Sequence, residues 1–192
     1  MKSLLGEILE VVVLALGLYL VITVAVQTVH VIGLSMYPTL DNDDYLIATK
    51  LDYRFHQPQR GDIIIMRDPY DPSKDFIKRI IGEPGERLLI KDGHVYINGH
   101  LLAEPYLASE AWTVNNNWPA GGDGEGGLVP ANEFFVMGDN RNHSSDSRTF
   151  GYVRRDQIEA RGLVRIWPLG HFGIYSTGPR LSTAETTVPI AA

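Results

Sequence analysis

FIKRIIGEPGERLLIKDGHVYINGHLLA, residues 76–103, is the stretch that decides how this chain folds. FIKRIIG (76–82) and RLLIK (87–91) are short runs rich in branched apolar residues, and they read as strands. Gly82-Glu83-Pro84-Gly85-Glu86 separates them. It has two glycines but fits neither a phosphate-binding loop nor a dinucleotide fingerprint, so it reads as a turn. HVYINGHLLA (94–103) reads as a hairpin, because Asn98-Gly99 supplies the positive φ angles that a two-residue turn requires. Consecutive strands joined by tight turns pair antiparallel.

The same texture extends outward on both sides. YLIATK (45–50), DIIIMR (62–67) and EFFVMG (133–138) read as further strands, and VRRDQI (153–158) as one short helical turn. Strands recur with few long helical patterns, so the fold class is mainly β, an antiparallel domain over residues 33–175. Residues 109–127, SEAWTVNNNWPAGGDGEGG, break the pattern as a loop-like insertion with Trp112 and Trp118 embedded in it. A surface insertion is the favoured reading there, over a loop that touches membrane or substrate. The polar stretch STGPRLSTAETTVPIAA (176–192) reads as a poorly ordered, non-catalytic tail.

The N-terminal part is of another kind. Val11 to Val31 contains no Asp, Glu, Lys or Arg. A helix crossing the hydrocarbon needs roughly 20 residues, and this run is that long. It exceeds the apolar core of a cleaved signal peptide, about 7–15 residues, and lacks the polar positions of a core helix. Residues 1–32 are therefore expected to be a transmembrane anchor. Lys2 favours a cytoplasmic N-terminus, although Glu7 and Glu10 dilute that signal and Lys50 and Arg54 follow the span.

Composition excludes several functions. The formal charge of −6 argues against a nucleic-acid partner. The absence of cysteine removes disulfides, thiol catalysis and cysteine zinc sites. Six histidines, at 30, 56, 94, 100, 143 and 171, never pair at i, i+4 around a glutamate, so the zinc-protease motif is missing. No metal and no cofactor is expected.

Three segments carry chemistry. Ser35 lies in GLSMYPTL (33–40), just past the apolar run. Lys78 lies inside an apolar strand, where alternation puts Phe76, Lys78 and Ile80 on one face and Ile77, Arg79 and Ile81 on the other. Either one of the two adjacent cations points inward, or both are solvent charges that blunt a strand edge. MGDNRNHSSDSRTFG (137–151) is denser in Asp, Asn, Ser and Arg than a hairpin turn needs, and its side chains can bond one another into a rigid scaffold.

Together these segments resemble the diagnostic boxes of type I signal peptidases, in order and at plausible spacing. SMYPTL is similar to that family's nucleophile box, KRIIGEPGE to its Lys-Arg box and GDNRNHSSDSR to its Gly-Asp-Asn-Arg…Ser-x-Asp-Ser-Arg box. RGDIIIM (60–66) resembles the strand box between them, and the likeness covers roughly residues 10–175. It implies a β catalytic domain of signal-peptidase type on one transmembrane helix, with Ser35 as nucleophile and Lys78 as general base. Ser144 matches the serine that hydrogen-bonds the lysine amine, and Asp146 and Arg148 match a supporting ion pair. Met36 and Ile77 are the candidates for the substrate pockets.

The implied activity is removal of signal peptides after small residues, on the extracytoplasmic face of the plasma membrane. The implied partners are preprotein signal peptides, the lipid bilayer and the protein-export machinery. Three positions depart from the pattern: Gly33 where many members have a hydroxyl that helps bind the oxyanion, His143 where Asn is common, and Glu86 in place of Asp.

The mechanism makes one demand on the fold. A lysine with its usual pKa of about 10.4 has a free amine in only about one molecule in a thousand near neutral pH. Burial must lower that value. Two other readings are weaker. A tethered β domain that binds peptides without cutting them has no need of Ser35, Lys78 and Ser144 together. A self-cleaving repressor would need a DNA-binding module, and none is present.

Overall fold

The structure is a computed structural model that describes residues 4–107, 117–119 and 126–175, and the backbone of 183–187. It opens with helix α1, Leu4–Ala25, 22 residues with no buried position. α1 is long and apolar enough to cross a membrane. The apolar run does not stay helical to its end. At Val26 the chain switches to strand β1, Val26–His30, which pairs antiparallel with β2, Tyr45–Thr49. β-branched Val26, Thr28 and Val29 suit a strand better than a helix, and β2 offers a partner edge. Residues 26–30, expected in the anchor, thus belong to the β domain, and Ser35 is separated from the helix by a strand.

After a one-turn helix α2 (Asp52–Phe55) come β3 (Ile63–Arg67), β4 (Asp75–Gly82), β5 (Arg87–Lys91), β6 (His94–Ile97) and β7 (His100–Leu102). β8 (Gly127–Leu128), β9 (Glu133–Met137), the short helix α3 (Ser147–Phe150), β10 (Val153–Arg154), β11 (Ile158–Trp167), β12 (Gly173–Ile174) and β13 (Thr183–Thr187) follow. All described pairings are antiparallel. One sheet runs β1-β2-β11-β3-β4-β9-β10, with β12 added on β11. The other runs β13-β7-β6-β5-β8. The Asn98-Gly99 hairpin is present, with φ of 50° and 81° at the two turn residues. The turn expected at 153–158 is a 3-10 turn over Arg155–Gln157 between β10 and β11.

Two apolar clusters sandwich β4. Ile80 packs with Ile64, Met66 and Val136. Ile81 packs with Phe135 and Met137 and with Leu88, Ile90 and Val95 of the second sheet. Each such side chain contributes about 1.5–3 kcal/mol when fully buried. β4 is therefore covered on both faces, and both Lys78 (3% exposed) and Arg79 (8%) are buried. The edge-charge alternative is excluded for both residues.

Two further differences concern the variable segments. Trp118 is not on a loose surface loop: its backbone pairs with Ile90 and its ring packs on Phe135 at 4.6 Å between centroids. Trp112 and most of the 109–127 segment lie outside the described residues. Within the expected tail, Thr183–Thr187 forms β13 and pairs with β7.

Candidate active site

Ser35 sits in a turn that follows β1, and Lys78 sits in mid-strand on β4. The Lys78 Nζ and the Ser35 Oγ are 3.0 Å apart. Burial pulls the Lys78 ammonium down from its usual 10.5 to about 8. The Asp146 carboxylate opposes that shift, and the Arg148 guanidinium adds to it by repulsion. Arg148 is locked on Asp146, with Nε–Oδ1 2.8 Å and Nη2–Oδ2 2.7 Å, so the two charges act on the lysine in opposite directions. The amine also lies 5.0 Å from the centre of the Phe76 ring.

The 138–148 segment is the frame of the site. Asp146 is fully buried, accepts from the Gly138 N–H at 3.1 Å and caps α3. Ser147 Oγ accepts from the Val136 N–H at 2.9 Å, tying the segment to β9. Asp139 receives both Arg79 Nε (2.8 Å) and Nη2 (2.7 Å), and the Thr39 hydroxyl. That pair joins the Ser35 turn, β4 and the frame at one point. Arg141 is buried and pairs with Glu104, with its Nη1 2.9 Å from Glu104 Oε2, and donates to the Tyr106 hydroxyl at 3.1 Å. The Tyr106 ring in turn lies 4.0 Å from the Arg79 guanidinium.

Glu104 and Tyr106 belong to the connection after β7, where no sequence signal singles them out. Gly138, too, carries no signal of its own within the GDNR stretch. A Cβ there would meet the Ser35 carbonyl oxygen and the Ser144 Oγ at 2.3 Å each, so only glycine lets the frame pass this close to Ser35.

Ser144 behaves differently from expectation. Its Oγ is buried beside Gly138 and has no hydrogen-bond partner among the described residues, so the expected bond to the lysine amine is not formed. Gly33 has φ +97°, a conformation that favours glycine. Its N–H already donates to Asn42 Oδ1 at 2.8 Å. No described group accepts from the Ser35 N–H.

A cleft of about 850 Å³ opens at the pair. One wall is residues 27–36 and the other is residues 74–78, with His143 and Ser145 at the rim. Met36 and Ile77 both line it. Both walls present unpaired strand edges. β1 is the outer strand of its sheet, and β9 pairs with β4 only from Arg79 onward. Among the described residues no group of acidic or histidine side chains could hold a metal ion.

A buried amine against a serine hydroxyl, beside a cleft, is an arrangement in which a hydroxyl can be activated by a neighbouring base. The family model described as signal peptidase, peptidase S26, matches residues 5–167. Signal peptidase I of Leptolyngbya laminosa is 41% identical over 84% of this chain and 77% of its own length. The probable signal peptidase I-2 of a Synechocystis strain is 36% identical over 91% of this chain and 77% of its own length. A solved signal peptidase I from Enterococcus faecalis V583 shares 37% identity, with a TM-score of 0.48 over 55% of this chain and 97% of that one. The chain belongs to the signal peptidase family, peptidase S26.

Proposed function

We infer that this chain is a membrane-anchored serine endopeptidase that removes N-terminal signal peptides from exported preproteins after small residues, with Ser35 as nucleophile and Lys78 as general base. The observation that carries the dyad is the 3.0 Å approach of Ser35 Oγ to a lysine that is 3% exposed. A neutral Lys78 amine takes the Ser35 proton as Oγ attacks the scissile carbonyl. The resulting ammonium protonates the leaving amine, and the neutral amine then activates water against the acyl-enzyme. The Ser35 N–H meets the developing oxyanion.

The preprotein enters as an extended strand between β1 and the start of β4, adding main-chain hydrogen bonds to their open edges. Met36 and Ile77 border the pockets for small side chains. α1 crosses the plasma membrane and the β domain lies on the extracytoplasmic face, where the export machinery delivers its substrates. Family membership, the groove and the anchor helix support this reading.

The test is cleavage of a preprotein with an Ala-x-Ala site by the detergent-solubilised full chain and by Ser35→Ala. The reading expects the variant to insert and fold normally and to cut nothing. Residual cleavage above background would remove Ser35 from the mechanism. Peptide binding without cleavage by the wild type would make the domain a peptide binder.

A further inference from the structure

Asn140 holds the nucleophile turn from both sides of Ser35. Its side-chain Nδ2 donates to the Leu34 carbonyl at 3.0 Å, and its backbone N–H donates to the Ser35 carbonyl at 3.0 Å. The Leu34 oxygen also accepts the turn bond from the Tyr37 N–H, at a longer 3.2 Å. A trans peptide is planar, with its C=O and N–H on opposite sides. Fixing the Leu34 oxygen toward Asn140 therefore fixes the Ser35 N–H toward the other side. That N–H has no acceptor among the described residues. The neighbouring N–H of Gly33 is already committed to Asn42. Gly33 also has no side chain to offer, so the orientation of a single backbone donor matters more than in a site with two.

We propose that Asn140 is a positioning residue for oxyanion binding: its side-chain amide aims the Ser35 N–H at the scissile carbonyl oxygen. The proposal rests on Ser35 being the nucleophile. It separates Asn140 from Asp139 and Arg141, whose buried ion pairs hold the frame. Asn140 makes its contact to the Leu34 oxygen at an exposed position, so its amide can be removed without opening a buried cavity. The backbone bond to Ser35 survives any substitution.

The experiment compares wild type, Asn140→Ala, Asn140→Asp and Ser35→Ala as full-length protein in detergent. Turnover of a preprotein is measured per active site, along with KM, melting temperature and inhibition by a peptide aldehyde that ends in alanine. The aldehyde adds reversibly to a serine hydroxyl and forms a tetrahedral oxyanion. Asn140→Ala should lower kcat at least about tenfold, with KM and melting temperature close to wild type. Aldehyde affinity should fall by a similar factor, because only the tetrahedral species uses the N–H.

Asn140→Asp keeps the size but sets a carboxylate against the Leu34 oxygen, and should lose at least as much. Wild-type kcat and aldehyde affinity in both Asn140 variants, with Ser35→Ala dead, would overturn the proposal and leave the nucleophile standing. Equal losses in KM and kcat would also overturn it, because they mark a general distortion. If Ser35→Ala still cuts, the proposal falls together with the nucleophile.

Discussion

At the scale of single residues, the site turns on how burial lowers the pKa of one lysine. Lys78 loses its proton near 8 because it is buried, and Arg148 shields it from Asp146. Cleavage needs the free amine, so kcat/KM should rise with pH through about 8 and fall about tenfold per pH unit on the acid side. Arg148→Ala leaves the Asp146 charge unopposed, which favours the ammonium. The acid limb should then move to higher pH, as read from a full pH–rate profile, and an unchanged profile would dismiss this electrostatic role. Stability follows the same proton. The unfolded chain keeps it up to about 10.5 and the folded chain only up to about 8. The penalty is therefore full below about pH 8, shrinks between 8 and 10.5, and is absent above. Its full size is about 3 kcal/mol.

At the scale of elements, the connection after β7 in the second sheet reaches the site through Glu104 and Tyr106. Glu104, just past β7, pairs with fully buried Arg141 in the frame. Removing one partner of a buried pair leaves an uncompensated charge, at about 3–5 kcal/mol. Glu104→Ala should therefore lower the melting temperature sharply and reduce cleavage, whereas Glu159→Ala, which opens only the Arg67 pair on the surface, should change the melting point little. Thermal melts of the two variants test this, and equal melts would contradict it.

The strands that alternate cleanly were legible in the sequence: β2, β3, β4, β5, β9 and the β6–β7 hairpin. β11 was not, although it is the longest described strand and is paired on both sides, by β2 and by β3. Gly162, Arg161 and Arg165 interrupt its apolar pattern, and the arginines are matched by Asp52, Asp62 and Asp44 from distant segments. β1 was hidden for the opposite reason, since its residues continue a helical apolar run and only the pairing with β2 makes them a strand. Of the site, Ser35, Lys78 and the 137–151 segment stand out by their resemblance to the family's boxes, whereas the alternation along β4 alone leaves open whether one cation points inward or both are edge charges. Gly138 and Asn140 stand in the recognised 138–148 box but read there only as part of the scaffold, because their closeness to Ser35 is set by the fold, and Glu104 pairs over a long range that no local pattern encodes.

At the scale of the whole molecule, α1 and the β domain are joined directly, with the Ala25 carbonyl accepting from the Lys50 N–H at 2.9 Å. β1 then carries the chain about 16 Å at about 3.3 Å per residue before the nucleophile turn. The cleft is thus tied to the bilayer by a strand and not by a flexible linker, as suits a scissile bond presented at a membrane surface. Protease added to intact cells should digest the β domain, and digestion only after lysis would reverse the orientation. The central claim is that burial lowers the pKa of Lys78 so that its free amine activates Ser35. The most direct measurement is preprotein turnover by Lys78→Arg and Lys78→Met, with melting temperatures taken at pH 7. The account predicts no cleavage by either variant: guanidinium keeps its proton at these pH values, and the methionine thioether is no base. It also predicts that Lys78→Met melts at or above wild type, because the charge-burial penalty is gone. Cleavage by Lys78→Arg at a rate near wild type would contradict it.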